Sequence, residues 1–268
     1  MSYTTTFRPS NANRCSWDEL YNRELENYQE DHDDEGTIWF SESNAEAVVL
    51  KQLAKLEKDS LLRRSSVCEH SHNDHVRPEK DGRAGHLLAS RFLDLGTGNG
   101  HMLLEMCDDD EGGKSWSGDM IGVDYSETSV QLARGILAER QEHGSSSSLS
   151  IQFEQWNLLS DDPGAWLKDG FEVVLDKGTF DAISLMHYDA ETEHPCETYR
   201  RRVTPLIKQG SFLFITSCNW TKDELVNWLA TANSELAFYD QAKYPTFTFG
   251  GSTGQSVVTV IFRRLANK

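Results

Sequence analysis

The sequence predicts an α/β fold: a Rossmann-like, seven-stranded, mostly parallel sheet with helices on both faces and a C-terminal antiparallel strand. From residue 91 onward, short apolar segments alternate with amphipathic helical segments, the order typical of βα units. The first apolar segment ends in the glycine-rich loop Gly96-Thr97-Gly98-Asn99-Gly100, and an amphipathic helix follows. The last apolar segment follows a turn-rich stretch, 246–254, which favours an antiparallel hairpin at the end of the sheet.

Hydrophobic periodicity places seven strands and four helices in this core. The strands are predicted at Arg91–Leu95, Met120–Asp124, Ile151–Glu154, Phe171–Asp176, Ser211–Thr216, Glu235–Tyr239 and Val257–Phe262. The helices are predicted near Gly100–Met106, Ser126–Glu142, Glu197–Val203 with a continuation to Leu206, and Lys222–Thr231.

Two more helices are predicted before the core. The first begins near Ser16 and carries Trp17, Leu20, Tyr21, Leu25 and Tyr28 at helical spacing. The second is capped by Ser43 or Asn44 and has Val48, Val49, Leu53 and Leu56 on one face. We therefore expect a disordered tail over 1–15 and a single domain over 16–268, made of a helical cap (16–62), a flexible insertion (63–90) and a Rossmann-like core (91–268).

The charge balance restricts the class of partner. The 268 residues include 26 Lys and Arg against 43 Asp and Glu, a formal net charge of −17. Such an acidic surface disfavours nucleic acid or an anionic membrane as the main partner, because both would repel it. It suits a basic protein partner, although solubility alone also explains an acidic surface.

Cysteine usage and the absence of long apolar runs indicate a cytoplasmic protein. The five cysteines are scattered and never in C-x-x-C spacing, so the sequence predicts neither a disulfide framework nor a zinc ribbon. The cluster Cys68, His70, His72 and His75 lacks a defined scaffold, and we expect no metal site. No run approaches the roughly 18 apolar residues that a membrane span needs.

The glycine loop is the first candidate site. Glycine lets the backbone turn sharply and brings its amides close to a ligand. The spacing G-x-G-x-G, with Asp94 two positions before the first glycine, differs from the G-x-G-x-x-G of dinucleotide dehydrogenases and matches the loop of S-adenosylmethionine-dependent methyltransferases. The predicted cofactor-binding residues of this loop are Asp94, Gly96, Thr97, Gly98 and Gly100.

Two later strand ends add to the predicted cofactor site. Asp124 ends the second strand, 24 residues after Gly100, where α/β nucleotide folds place a carboxylate for two ribose hydroxyls. The alternative role for Asp124 is a helix cap or a place in a solvated turn. Tyr125, the next residue, is also predicted to bind the cofactor. After the third strand, Trp156 and Asn157 form a candidate adenine platform, for which core packing of Trp156 is the alternative.

The fourth strand ends in the candidate catalytic residues. Asp176 and Lys177 are expected to face the reaction site, because ligands sit beyond the carboxyl ends of the strands. Asp176 would orient the ammonium group of an acceptor lysine and help it lose a proton. Asp176 is also predicted to contact the cofactor. The alternatives are an ion pair between the two residues or a cap on a helix from Thr179. The aromatic residues predicted to bind substrate are Trp39, Phe40, Trp220 and Phe249.

Taken together, these residues resemble the eukaryotic lysine methyltransferases of translation elongation factor 1-alpha. That group belongs to the class I, seven-strand methyltransferases, and the similarity points to the branch called elongation factor methyltransferase 4 in fungi. The resemblance covers 17–262 without 63–90. Its motifs are Trp17-x3-Tyr21-x3-Leu25, Gly36-x2-Trp39-Phe40, Leu93 to Gly100, Gly122 to Ser126, Asp176 to Leu185, Thr216 to Thr221 and Phe247 to Val257.

The resemblance implies S-adenosylmethionine as methyl donor and a lysine of elongation factor 1-alpha as acceptor, in the cytoplasm. It also implies a possible link to intracellular transport. Apart from the resemblance, we expect a monomer. Many class I members have an aspartate at the position of Asn157, and the insertion has no family counterpart. The alternatives are a small-molecule methyltransferase, a nicotinamide-dependent oxidoreductase and a non-catalytic cofactor-binding module.

Overall fold

The computed structural model describes residues 14–65, 67–68, 86–109, 115–143, 150–189, 191–244, 247–249, 252–254 and 256–266. Most of the expected tail (1–15) and of the expected insertion (63–90) lies outside these residues. The first helix begins at Arg14, two residues before the predicted start. The two ends of the insertion pack onto the core, since Ser90 donates a backbone hydrogen bond to Arg63 and the buried Arg64 pairs with Asp109 at 2.8 Å.

Regular structure fills most of the described chain. The helices are α1 (Arg14–Glu30), α2 (Ala45–Lys58), α3 (His101–Asp108), α4 (Glu127–His143), α5 (Thr179–Ser184), α6 (Pro195–Val203) and α7 (Lys222–Leu229). The strands are β1 (Val67–Cys68), β2 (His86–Leu87), β3 (Phe92–Leu95), β4 (Met120–Asp124), β5 (Ile151–Gln155), β6 (Phe171–Lys177), β7 (Ile207–Ser217), β8 (Leu236–Gln241), β9 (Phe247–Phe249), β10 (Ser252–Gly254) and β11 (Val258–Arg264).

Seven strands form one sheet in the order β5-β4-β3-β6-β7-β11-β8, which confirms the predicted fold class. The pairs from β5 to β7 are parallel, and β11 runs antiparallel to both β7 and β8. The last strand therefore inserts between its neighbours and does not form the sheet edge. The strand order reverses between β3 and β6, so the crevice expected to bind ligand lies at the carboxyl ends of these two strands.

Helices cover both faces of the sheet. One apolar cluster joins the sheet to α2, α3 and α4, with Tyr28 of α1, and a second joins it to α5, α6 and α7. The short α5 was not among the four helices predicted for the core. A helix starting at Thr179 was considered only as one that Asp176 would cap. Six residues are too few for a helical period to emerge from sequence.

The N-terminus of α7 generates a stability prediction. Thr221 accepts a hydrogen bond from the Glu224 backbone, and the Glu224 carboxylate accepts one from the Thr221 backbone at 2.8 Å, which together form a capping box. Thr221→Ala removes one half of it, so we expect the free energy of unfolding to fall by about 1 kcal/mol. Urea denaturation measures the change. Thr221→Ser keeps the hydroxyl and is the control, and an equal loss in both variants would contradict the capping role.

Candidate functional site

The glycine loop lies where the sheet order reverses, and its backbone excludes side chains. Gly96, Gly98 and Gly100 all have left-handed φ angles, of 62°, 59° and 79°. A Cβ at Gly96 would lie 2.1 Å from Thr179 Oγ1, and one at Gly98 would lie 2.8 Å from Tyr21 Oη. The loop is therefore pressed between α5 and α1, and its shape requires glycine at these positions.

Two buried carboxylates flank this loop. The Asp94 carboxylate accepts a hydrogen bond from Thr97 Oγ1 at 2.7 Å, and Asp124 accepts from the backbone of Gly98 at 3.2 Å and of Ser126 at 3.0 Å. Burial raises the pKa of Asp94 to about 6 and also raises that of Asp124. Burial disfavours the charged form of both acids, so a ligand that supplies hydroxyl groups or positive charge would stabilise their carboxylates.

The segment after β5 differs from the predicted adenine platform in part. The Trp156 indole packs edge-on against Trp166, with ring centroids 5.4 Å apart, and donates a hydrogen bond to the Asp162 carbonyl. Its ring therefore takes part in core packing, the alternative role. Its backbone nitrogen bonds the Asp124 carbonyl at 2.8 Å, which ties this segment to the site. The Asn157 side chain accepts from the Leu159 backbone at 3.0 Å. An adenine contact by Trp156 or Asn157 stays a prediction.

Tyr125 lies half-buried directly after Asp124, and its carbonyl accepts a hydrogen bond from Gln155 at 3.2 Å. This bond joins the turn after β4 to the end of β5. A groove of 740 Å³ runs beside β5 and is lined by Arg91, Asp119 and Trp156 among others, without the glycine loop or Asp124. It is therefore separate from the predicted cofactor residues, apart from Trp156.

Asp176 caps α5. Its carboxylate accepts from the Thr179 and Phe180 backbone nitrogens at 3.0 Å and from Tyr199 Oη at 2.6 Å. Burial raises its pKa to about 7. The helix-cap alternative is thus realised, and the structure gives Asp176 a positioning role for the turn between β6 and α5. Its direct part in proton transfer stays a prediction.

Lys177 pairs with a residue that sequence reasoning missed. Its ammonium lies 3.5 Å from Glu46 Oε1 and 3.4 Å from the Trp39 carbonyl. The ion pair with Asp176, which was one alternative to a catalytic role, is absent from the contacts of the described residues. The other Glu46 oxygen lies 2.7 Å from His101 Nδ1. Burial disfavours the charged forms of Glu46 and His101. Their hydrogen bond outweighs this effect, so the pKa of Glu46 is lowered and that of His101 is raised. An acid in the first turn of α2 and a histidine directly after the glycine loop were the available signals.

The N-terminal cap forms a wall of the site. The Trp17 ring lies 5.0 Å from the Trp39 ring, and Tyr21 beside them faces Gly98. Asn99 donates to the Glu35 carbonyl at 2.9 Å, and Arg140 pairs with the Glu35 carboxylate at the same distance. These bonds hold the segment after α1 against the glycine loop.

Two buried donors in this wall lack a partner. The indole nitrogens of Trp17 and Trp39 have no hydrogen-bond acceptor among the residues that the structure describes. Such orphaned donors are uncommon in native proteins, and a bound ligand is one way to satisfy them. The acids, the side-chain-free loop and these donors therefore fit a polar, positively charged cofactor.

The structure describes the side chains of three of the four aromatic residues predicted to bind substrate. Trp39 and Phe40 lie together beside the end of β6, where the Phe40 ring lies 3.3 Å from the Cβ position of Gly178. Trp220 packs on the other layer, with its indole nitrogen 3.0 Å from Ser184 Oγ. Phe249 ends β9, but its side chain lies outside the described part. Of the three aromatic side chains that the structure describes, Trp39 and Phe40 lie together and Trp220 lies apart from them.

The described residues give two further results. They include no group of three or more His, Cys, Asp or Glu residues placed to hold a metal ion, and His70, His72 and His75 lie outside them. Within the same residues, no helix is both long and apolar enough to cross a bilayer.

The buried Asp176 generates a pH prediction. Its native pKa exceeds the usual aspartate value of about 3.9, so between about pH 4 and pH 7 the native state binds more protons than the unfolded state. The stability from this group is therefore lost as pH rises through that window. Asp176→Asn keeps an acceptor for α5 and does not titrate. We expect its stability relative to the wild type to rise with pH, by at most about 1.4 kcal/mol per pH unit.

Urea unfolding between about pH 4.5 and pH 7.5 measures this effect, since it spans the titration window. The exposed Asp59→Asn is the control and should run parallel to the wild type. Parallel profiles for the wild type and Asp176→Asn would contradict the raised pKa.

Comparisons with known proteins agree with this geometry. A family model described as a methyltransferase domain matches residues 88–260. The chain is 36% identical over 248 residues to "Protein-lysine N-methyltransferase EFM4" of Saccharomyces cerevisiae, covering 92% of this chain and 91% of that protein. It is 30% identical over 252 residues to "EEF1A lysine methyltransferase 2" of Homo sapiens, covering 94% and 86%.

A solved structure supports the fold. The TehB-like SAM-dependent methyltransferase from Corynebacterium glutamicum superposes with a TM-score of 0.51 at 11% identity, covering 94% of this chain and 100% of that one. The family match spans more than half of the sequence, and relatives above 30% identity span most of it. The chain therefore belongs to the methyltransferase-domain family and, within it, to the group of protein-lysine N-methyltransferases that contains these relatives.

Proposed function

We propose that this protein transfers a methyl group from S-adenosylmethionine to a lysine side chain of translation elongation factor 1-alpha. The observation that carries the proposal is the glycine loop between the buried acids Asp94 and Asp124, at the point where the sheet order reverses. The similarity to the human EEF1A lysine methyltransferase 2, which extends over 94% of this chain, supports elongation factor 1-alpha as the protein substrate.

The residues of the site match the parts of this cofactor. Asp124 would hold the ribose hydroxyls, since its carboxylate can accept further hydrogen bonds beside those from Gly98 and Ser126. The backbone of the glycine loop would lie against the amino-acid end. The indole nitrogens of Trp17 and Trp39 are the donors free to meet its polar groups. When bound, the cofactor supplies an electrophilic methyl group on a positively charged sulfur.

The acceptor side of the site lies at the end of β6. Trp39 and Phe40 would exclude water there and align the aliphatic part of a lysine, as transfer in line requires. Asp176 fixes the turn that places Lys177 and Gly178 beside these rings. Lys177 holds the Glu46 carboxylate in place, and acids near the site favour approach of a cationic substrate before it loses its proton.

Isotope transfer tests the proposal. Purified protein incubated with methyl-labelled S-adenosylmethionine and elongation factor 1-alpha should label a lysine, which mass spectrometry then locates. Absence of label from a preparation that binds the cofactor would contradict the substrate. Label on a small metabolite would favour a small-molecule methyltransferase, and cofactor binding with no turnover on any acceptor would favour a non-catalytic binding module.

Calorimetry on a point variant tests the cofactor site separately. Asp124→Asn removes the charge that attracts ribose hydroxyls, so we expect the Kd for S-adenosylmethionine to rise at least about tenfold, the result of losing a charge-assisted hydrogen bond. Asp59→Asn is the control and should bind as the wild type does. Equal affinity in Asp124→Asn would refute the ribose role, and binding of a nicotinamide cofactor by the wild type would favour an oxidoreductase.

We also propose where the protein acts, its oligomeric state and its partners. We place the protein in the cytoplasm, where translation factors reside, and expect it to act as a monomer without nucleic acid or membrane as partner. The acidic net charge of −17 supports a basic protein substrate. No observation on the described residues or the relatives supports the link to intracellular transport.

A further inference from the structure

Three large apolar side chains are exposed together directly after α5. Leu185, Met186 and Tyr188 are 53%, 41% and 43% exposed. The other exposed large apolar residues of the described chain occur singly or as the pair Phe238 and Tyr239 on an outer strand. Clustered exposed apolar side chains mark interaction surfaces more often than isolated ones do. We call Leu185, Met186 and Tyr188 the 185–188 patch.

The patch is held in place from both sides. On one side, Ser184 Oγ accepts a hydrogen bond from the Trp220 indole nitrogen at 3.0 Å. On the other, the Tyr188 ring packs against His194 at 4.4 Å, and His194 stacks on Trp228 at 4.5 Å. These contacts fix the ends of the segment, so the exposed side chains are presented on a supported surface.

The chain segment that carries the patch is acidic. Residues 178–199 contain no lysine or arginine, while Asp189, Glu191 and Glu193 follow the patch and are exposed. Glu193 pairs with Arg201 at 2.8 Å, which leaves Asp189 and Glu191 as the acids nearest in sequence to the patch. An apolar surface with an acidic rim is complementary to a basic polypeptide segment that also carries apolar side chains.

The patch lies near the carboxyl edge of the sheet, as the proposed acceptor site does, because Ser184 directly before it bonds Trp220 in the loop after β7. β6 ends at Lys177, α5 follows from Thr179, and the patch begins at the next residue after α5. Asp181 of α5 accepts a hydrogen bond from the Cys218 backbone at 2.9 Å, which joins α5 to the loop at the carboxyl end of β7. The six residues of α5 span about 9 Å, so a polypeptide with its lysine at the end of β6 could also contact this surface.

We propose that the 185–188 patch is the docking surface for a basic, apolar-anchored segment of the protein substrate, outside the reacting lysine. The inference rests on the proposed function, because it assumes that the acceptor is a polypeptide. Side chains of the patch act in binding, so their loss changes KM for the protein and leaves the chemical step and the cofactor site intact.

The first experiment uses Leu185→Ser with Met186→Ser, assayed with elongation factor 1-alpha and S-adenosylmethionine. We expect KM for the protein to rise about tenfold, as for truncation of apolar anchors, with kcat and the cofactor Kd within about twofold of the wild type. The matched control is Leu265→Ser. Leu265 is 50% exposed and follows β11, which runs antiparallel to β7 and therefore ends at the amino ends of the parallel strands, away from the patch. This variant should keep the wild-type KM.

The second experiment removes the acidic rim with Asp189→Asn and Glu191→Gln. We expect a higher KM at low salt and a weaker dependence of KM on salt than in the wild type, because screening then has less attraction to remove. The control is Asp59→Asn with Glu142→Gln, which removes two exposed charges at the far ends of α2 and α4. It should keep the salt dependence of the wild type.

The outcomes separate the two proposals. Unchanged KM in the patch variant, with an active wild type, overturns the docking surface and leaves the proposed function standing. A wild type that binds the cofactor but methylates no protein overturns both. A wild-type dimer that dissociates in the patch variant, with KM unchanged, assigns the patch to a second copy of the chain and overturns the inference.

Discussion

The close approach of the glycine loop to α5 and α1 is the constraint on which the site depends. Gly96 leaves no space for a Cβ against Thr179, and Gly98 leaves little against Tyr21. The left-handed backbone at both positions turns the chain from β3 into α3 within a few residues. Because the loop has no side chains at these glycines, α1 and α5, from the two layers of the fold, can both approach one cleft. A side chain at either glycine would separate them, so cofactor binding and the N-terminal cap depend on the same geometry.

The cap and the core are coupled by charge as well as by shape. Glu46 of α2 bridges His101 after the glycine loop and Lys177 at the end of β6. This arrangement joins three parts of the chain that are far apart in sequence. Removing one partner would leave a buried charge unpaired, which is more costly than losing an exposed pair.

The sequence predicted the strands and the glycine loop well, because these features are local. Hydrophobic runs and glycine spacing depend on neighbours along the chain, and Asp94, Asp124 and Asp176 all lie at the strand ends where the pattern placed them. The partners of these residues were not predictable in the same way. Tyr199 donates a hydrogen bond to Asp176, and Glu46 forms an ion pair with Lys177, across gaps in the sequence that no periodicity spans. Trp220 was assigned to the substrate channel by residue type alone, and its packing against α5 is a tertiary contact.

The central claim is that a methyl-donor cofactor binds across the glycine loop with its ribose on Asp124. Diffraction from crystals grown with S-adenosylhomocysteine, the product of the donor, tests it most directly. The account predicts both ribose hydroxyls within about 3.2 Å of the Asp124 carboxylate, the distance of an ordinary hydrogen bond. Density for the ligand in another cleft, or a ribose turned away from Asp124, would contradict it.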